Sequence, residues 1–306
     1  MAKCLELASV AARTELPILI LGESGTGKTL LARAIHNSSG RAEGPFVSFN
    51  AAALSETLVD SQLFGHEKGA FTGAQKAVKG KFEQAHRGTL FIDEIADMSS
   101  VAQAKILRAV EYGEFERLGS ERIQLADVRL ISATHHPLRK YLESDQFRKD
   151  LFYRISGFTV TIPPLRERPN DLRSLVAAEI TLANRRHGKS ISGISKDAVE
   201  ELFAYGWPGN LRELNRVISA AVALAEGSVI DSDVLLLDVS EPRPSHKHES
   251  EVASHPKVPR QNLSLRSMES RYVREILQRV GGNKAQAARV LGISRSTLDR
   301  KLNGPQ

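Results

Sequence analysis

Five short apolar runs punctuate the first half of the chain: Pro17–Leu21 (PILIL), Phe46–Phe49 (FVSF), Thr89–Ile92 (TLFI), Val128–Ser132 (VRLIS) and Phe158–Ile162 (FTVTI). Their brevity and their β-branched and aromatic content predict buried strands. Between most of them lie longer segments with helical spacing, for example Lys28–Asn37 and Val101–Glu111. This alternation predicts an α/β fold, a mainly parallel sheet with helices on both faces. It stops near Pro163–Pro164. From Asp171 to about Ala225 only helical spacing remains. There Leu211, Leu214, Val217, Ile218, Ala221, Val222 and Ala225 share one helix face. Asn210 reads as that helix's N-cap, with Glu213 three residues on, after the turn Trp207-Pro208-Gly209.

Asp238 to Asn262 is polar and broken by Pro242, Pro244, Pro256 and Pro259, the pattern of a flexible linker. Its histidines, His246, His248 and His255, fit linker composition better than a metal site. Helical spacing then resumes to the end. The expected organisation is an α/β subdomain over 1–165, a small helical subdomain over 166–237, a linker over 238–262 and an all-α module over 263–306.

Charge sharpens this division. The net charge of the 306 residues is +6, yet Pro256 to Gln306 holds 11 Lys and Arg against 3 Asp and Glu, or +8. The remainder is therefore at −2. A mildly acidic body with a basic end points to a polyanionic partner for that end, although a solvated basic tail has the same charge. The single cysteine, Cys4, excludes a disulfide framework or a multi-cysteine metal site and fits a reducing cytoplasm. No run of about 18 apolar residues is long enough for a membrane-spanning helix. The first seventeen residues lack the apolar core and cleavage site of a secretion signal.

The most specific chemistry lies after the first strand. Gly22-Glu23-Ser24-Gly25-Thr26-Gly27-Lys28-Thr29 satisfies G-x-x-x-x-G-K-[ST] between a strand and a helix, the setting this phosphate-binding loop requires. Its backbone N–H groups and the helix N-terminus would face the phosphates of ATP. Lys28 would reach the β and γ oxygens, and the Thr29 hydroxyl would ligate Mg2+. Gly88-Thr89-Leu90-Phe91-Ile92-Asp93-Glu94 supplies the acids expected on a neighbouring strand. Asp93 would orient Mg2+ through water, and Glu94 would polarise an attacking water.

Further motifs carry a resemblance. Gly69-Ala70-Phe71-Thr72-Gly73-Ala74 reads GAFTGA, preceded by Leu63-Phe64-Gly65-His66-Glu67. With GESGTGKT, GTLFIDE, FRKDLFYRI and WPGNLREL, the stretch from about Leu16 to Leu237 resembles the central domain of sigma-54-dependent transcriptional activators. These are AAA+ ATPases that form hexameric rings. The resemblance implies an AAA+ P-loop domain with a helical lid, ATP and Mg2+ as cofactors, and sigma-54 RNA polymerase as partner. It implies that Gly69, Ala70, Phe71, Thr72, Gly73 and Ala74 form the sigma-54 contact, led by Phe71 and Thr72. A Phe between glycines suits an apolar loop tip, but equally a surface turn with one buried ring. Gly113–Arg122 resembles the second loop, which relays nucleotide state.

The resemblance also assigns Asn50 as the switch asparagine that holds Glu94, and Arg148 and Arg154 as arginine fingers reaching a neighbouring subunit's nucleotide. Thr134 would be the sensor I threonine and Arg212 the sensor II arginine, with Leu30 beside the nucleotide. Two positions depart from the pattern: His135 stands where the family usually has Asn, and Thr29 where it usually has an acid. The stretch before the first strand is also short, with no room for a receiver domain. Control by a separate protein or a shortened chain would each account for that.

At the end of the chain, Asn283 to Leu302 divides at Gly292 into two short helical patterns, a helix-turn-helix. Ala287, Ala288 and Leu291 would pack on Ile293, Leu298 and Leu302, with Ser294 or its neighbour capping the second helix. That leaves Arg295, Ser296, Thr297, Arg300 and Lys301 to meet upstream DNA. The segment resembles the Fis-type domain of these activators, and a plain helical hairpin is the competing reading. The preceding pattern, about Leu265 to Val280, would form a dimer face through Met268, Tyr272, Val273, Ile276, Leu277 and Val280, with Arg271, Arg274 and Arg279 adding phosphate affinity. The reading is an ATP-dependent activator that remodels the closed sigma-54 polymerase complex. Two alternatives stay open: a DNA-binding regulator whose nucleotide controls assembly alone, and a general AAA+ remodeller.

Overall fold

The computed structural model describes residues 1–52, 55–237, 277, 283–290, 293, 294, 297 and 298. Five strands form one parallel sheet: β1 (Ile18–Leu21), β2 (Phe46–Asn50), β3 (Thr89–Asp93), β4 (Arg129–Thr134) and β5 (Phe158–Thr161). Their order is β2-β3-β4-β1-β5. The five expected strands are present, with ends moved by one or two residues. Both sheet faces are buried, and side chains alternate between them. Leu19, Leu90, Ile92 and Leu130 enter one apolar cluster. Ile18, Ile20, Phe91, Ile131, Ala133 and Val160 enter the other. Two buried faces explain why these strands read as continuous apolar runs.

The main helices of this part are α1 (Ala2–Ala12), α2 (Lys28–Asn37), α3 (Glu56–Phe64), α4 (Ser100–Tyr112) and α5 (Lys149–Ile155). The first of these has no counterpart among the expected elements. It buries Cys4, Ala8, Ala11 and Ala12 against α2 and the sheet. Arg129, 2% exposed, ties it down: its guanidinium donates to Ala12 O at 3.1 Å and to Ala11 O at 2.7 Å, two carbonyls at the helix end.

The helical subdomain follows as α6 (Pro169–His187), α7 (Lys196–Ala204) and α8 (Asn210–Leu224). Leu214, Val217, Ile218, Ala221, Val222 and Ala225 are buried as the spacing predicts, while Leu211 is partly buried. The start of α8 corrects one expectation. Its N-cap is Gly209, not Asn210. Asn210 is the first helical residue, with φ +50°. Glu213 reaches back to the Gly209 N–H at 2.8 Å, so Glu213 satisfies the helix end. The Asn210 side chain is then free for a different task, described below.

The chain divides into two compact units, Met1–Ser245 and His246–Gln306. In the second, Lys284–Val290 is helical, with Asn283 Oδ1 accepting from Gln286 N–H. Ala287, Ala288 and Leu298 are buried together, with Leu277 and Ile293 against them. Ser294 Oγ accepts from Thr297 N–H at 3.2 Å, the cap expected there. The linker 238–262, the remainder of the 265–280 pattern, Leu291 and Leu302 lie outside the described residues, as do Arg295, Ser296, Arg300 and Lys301. Among the described residues no helix is long and apolar enough to cross a membrane.

Candidate nucleotide site and its loops

Strand order assembles the site. β4 lies between β1, which runs into the phosphate loop, and β3, which ends in Asp93. In register, Leu21 pairs with Thr134 and Asn50 with Asp93. The strands run parallel, so Lys28, Asp93, Glu94 and Thr134 gather at their carboxyl ends, where α/β sheets place ligands. Gly22 N–H donates to Thr134 O at 3.3 Å and fixes the loop on its neighbour strand.

Gly25 and Gly27 adopt φ +78° and +102°, which side chains resist. A Cβ on Gly25 would also lie 2.3 Å from Gly209 O. No side chain caps α2, which leaves its first N–H groups without a side-chain acceptor at the end of the phosphate loop. Buried Lys28 turns its Nζ to Gly22 O at 3.0 Å and to Glu94 Oε1 at 3.3 Å. Thr29 and Leu30 are exposed beside it.

The two acids differ in environment. Burial, and then the neighbouring Glu94 charge, push the Asp93 carboxyl above its ordinary range. Burial pushes Glu94 up as well, but hydrogen bonds from His135 and the Lys28 charge outweigh it and hold Glu94 low. Asp93 Oδ1 accepts the Glu94 N–H at 3.1 Å. A threonine hydroxyl and a half-buried carboxylate are an all-oxygen donor set of the kind Mg2+ takes beside phosphates and water, so the residues fit that ion.

The helical subdomain grips the phosphate loop directly, which the sequence reading did not foresee. Asn210 Nδ2 donates to Ser24 O at 3.1 Å and to Glu23 Oε2 at 3.2 Å, while its Oδ1 accepts the Leu165 N–H at 2.7 Å. Leu211 N–H donates to Gly25 O at 2.9 Å. Arg166 pairs with both Glu23 oxygens. Arg168, 7% exposed, donates to Thr26 O at 3.3 Å. The residues before and after α6 and α7 thus meet on one loop. The signal was faint: an Asn after Gly is normally a cap.

The loop Gly69–Ala74 stands on a two-strand ladder, Gly65–His66 against Val78–Lys79. Gly69 (φ +85°) and Gly73 (φ +104°) have open space around them, and Thr72 is exposed. Phe71 is partly buried, edge-on to the His66 ring at 5.0 Å. It is neither a fully free tip nor a core ring. Arg117 from the second loop pairs with Glu67 at 2.8 Å and Glu83 at 2.7 Å, and Glu67 N–H donates to Leu118 O. Ala70 packs so closely on Gly119 that a Cβ there would meet it at 2.8 Å. The two surface loops are therefore one latched unit.

A family model described as the Sigma-54 interaction domain matches residues 1–161. The chain belongs to the sigma-54-dependent activator family. An AAA+ ATPase lid domain matches residues 166–252, and the Fis family of bacterial regulatory proteins matches 264–303. The chain is 42% identical over 295 residues to transcriptional regulatory protein ZraR of Klebsiella oxytoca, covering 96% of this chain and 65% of ZraR. It is similar to NtrX from Brucella abortus in complex with ADP, with TM-score 0.78, 34% identity, and coverage of 99% of this chain and 66% of NtrX. NtrX in complex with ATP gives TM-score 0.77 and 33% identity, with coverage of 99% and 67%. The chain spans about 65% of the length of curated relatives such as ZraR.

The structure places the remaining family-implied residues unevenly. Thr134 is fully buried at the end of β4, its hydroxyl accepting the His136 N–H at 3.0 Å. Arg212 donates to Ser24 Oγ at 2.9 Å, on the phosphate loop. Among the described residues Asn50 has no bond to Glu94: its Oδ1 accepts the Ala52 N–H at 2.8 Å, and Glu94 is bonded by His135. Arg148 is exposed and paired with Asp150, while Arg154 donates to Val110 O and Glu111 O. Neither has a described bond to its own phosphate loop.

Proposed function

We propose that this chain hydrolyses ATP with Mg2+ and uses hydrolysis to remodel the closed complex of sigma-54 RNA polymerase, promoting open-complex formation. The observation that carries the reading is the convergence of Lys28, Asp93 and Glu94 at the phosphate loop, in the same chain as a latched GAFTGA loop. Gly22 to Thr29 would hold the triphosphate, with Thr29 and Asp93 around Mg2+, the latter through water. When bound, the metal would supply charge neutralisation on the phosphates. Glu94 would accept a proton from the attacking water. Thr134 and Arg212 would sense the γ-phosphate from strand and lid.

Arg148 and Arg154 face outward and would complete the site of a neighbouring copy in a homo-oligomer, a hexameric ring in the family. An arginine finger contributes roughly 10³–10⁵ in rate by meeting transition-state charge. Gly69 to Ala74 would touch sigma-54, with Phe71 leaving His66 to do so. The C-terminal module, through Arg295, Ser296, Thr297, Arg300 and Lys301, would bind upstream DNA as a dimer in the cytoplasm. Four subunit regions are proposed: 1–165, 166–237, 238–262 and 263–306.

The test is open-complex formation by sigma-54 holoenzyme on a promoter with this chain and ATP, against a non-hydrolysable analogue. Opening with ATP alone supports the reading. ATP hydrolysis without any opening would leave a general AAA+ remodeller.

A further inference from the structure

Asn210 is fully buried, and both polar atoms of its side chain are engaged. Oδ1 accepts the Leu165 N–H at 2.7 Å. Nδ2 donates to Ser24 O at 3.1 Å and to Glu23 Oε2 at 3.2 Å. The backbone of Asn210 has φ +50°, a left-handed conformation that asparagine tolerates better than most residues. The side chain thus reaches from the start of α8 to the phosphate loop, and its bond to Leu165 fixes its orientation.

Ser24 O is one of three consecutive phosphate-loop carbonyls that the helical subdomain engages. Gly25 O accepts the Leu211 N–H at 2.9 Å, and Thr26 O accepts from Arg168 Nη2 at 3.3 Å. A trans peptide unit is planar, so a carbonyl and the next residue's N–H point in opposite directions. The bonds to Ser24 O and Thr26 O therefore turn the Gly25 and Gly27 N–H groups away from their lid donors. Among the described residues neither of these N–H groups has a protein acceptor, whereas the Thr26 N–H between them bonds Glu23 O at 3.3 Å. Glycine adopts either sign of φ readily, so the peptide units leading into Gly25 and Gly27 are the easiest in the loop to flip. A flip at Ser24–Gly25 would put a carbonyl oxygen where the N–H stands, and that oxygen would repel phosphate.

We infer that Asn210 is a positioning residue for nucleotide binding: by holding the Ser24 carbonyl it keeps the Gly25 N–H presented to phosphate. Arg168 acts in the same way on the Gly27 N–H through Thr26 O. Its guanidinium also meets Met1 Sδ at 3.7 Å, so Asn210 gives the cleaner test. The helical subdomain then does more than place Arg212, because its packing sets the anion-binding form of the loop. The inference rests on the nucleotide reading above and deepens it.

The test uses the full chain, with ATP and ADP each competing against a fluorescent nucleotide. Asn210→Asp keeps the oxygen that the Leu165 N–H needs and suits the same φ, but puts an acceptor where the donor to Ser24 stood. Asn210→Gly also suits that φ and removes the side chain, so it decides the matter if the Asp variant does not fold. Each is expected to weaken ATP and ADP alike by about threefold to tenfold, the span of one net hydrogen bond. At saturating ATP, kcat should stay within about twofold of wild type. Trp207, the single tryptophan, is buried in the same subdomain, and its unchanged emission reports a folded lid. Unchanged affinity in a folded variant overturns the inference. So does a loss confined to ATP, which would mean that Asn210 acts through Arg212 and the γ-phosphate. A fall in kcat that exceeds the rise in KM overturns it as well. A wild type that binds neither nucleotide would defeat the nucleotide reading, and this inference with it.

Discussion

Lys28 Nζ and Glu94 Oε1 stand 3.3 Å apart, joining the phosphate loop to the end of β3. Each is the other's counter-charge until a nucleotide arrives. The pair predicts a split between variants. Lys28→Ala should lose nucleotide binding by at least about tenfold, because the phosphates lose a charge-assisted donor. Glu94→Gln should bind ATP as well as wild type or better, and hydrolyse it at least about a hundredfold more slowly. Fluorescent-nucleotide titration with a phosphate-release assay separates the two. Equal loss of binding in both variants would contradict these roles.

Asp93 should trade stability for function. Burial raises its carboxyl, so ionising it costs the folded chain. That cost is absent in acid, where the group is protonated folded and unfolded alike. It grows as pH rises from the ordinary carboxylate range to the raised value, and is full above it. Asp93→Asn keeps an acceptor for the Glu94 N–H and removes the charge. At neutral pH its melting temperature is expected above wild type, a gain that disappears in acid, with Mg2+-dependent hydrolysis lost. A lower melting temperature at neutral pH would contradict the sign.

Arg129 is a structural anchor. Its bonds to Ala11 O and Ala12 O are the described tie between β4 and the end of α1. Arg129→Leu leaves two carbonyls to find other partners and should cost ~2–4 kcal/mol in chemical denaturation. Protection of α1 amides in hydrogen exchange should fall first. Uniform loss of protection across the sheet would argue against a local anchor.

Phe71 is proposed to act outside the nucleotide site. Phe71→Ala should leave ATP hydrolysis within about twofold of wild type and abolish open-complex formation, since its ring packs on His66 of the two-strand ladder. Equal loss of both activities would make the loop a structural element.

Much of this molecule was legible in its sequence. The five strands are short apolar runs because both sheet faces are buried, and the phosphate loop is legible because Gly25 and Gly27 take positive φ. The spacing on α8 predicted its buried face for the same reason. What escaped reading depends on contacts across the chain. Asn210 sits where a cap belongs, yet Glu213 does the capping and Asn210 binds Ser24 and Leu165. Arg166 and Arg168 follow a Pro-Pro break that announces only an end of pattern. α1 is built from small residues, and its weak amphipathicity hid a helix that Arg129 fixes from 117 residues away. At Glu94 the resemblance points to Asn50, while the residue bonded to it in the structure is His135, a contact the spacing of the sequence does not announce.

The most direct test of the central claim is ATP hydrolysis per subunit against protein concentration, with Glu94→Ala as control. A site completed between copies predicts a rate that rises cooperatively with concentration and vanishes in the variant. A rate per subunit independent of concentration, or one that survives in Glu94→Ala, would contradict it.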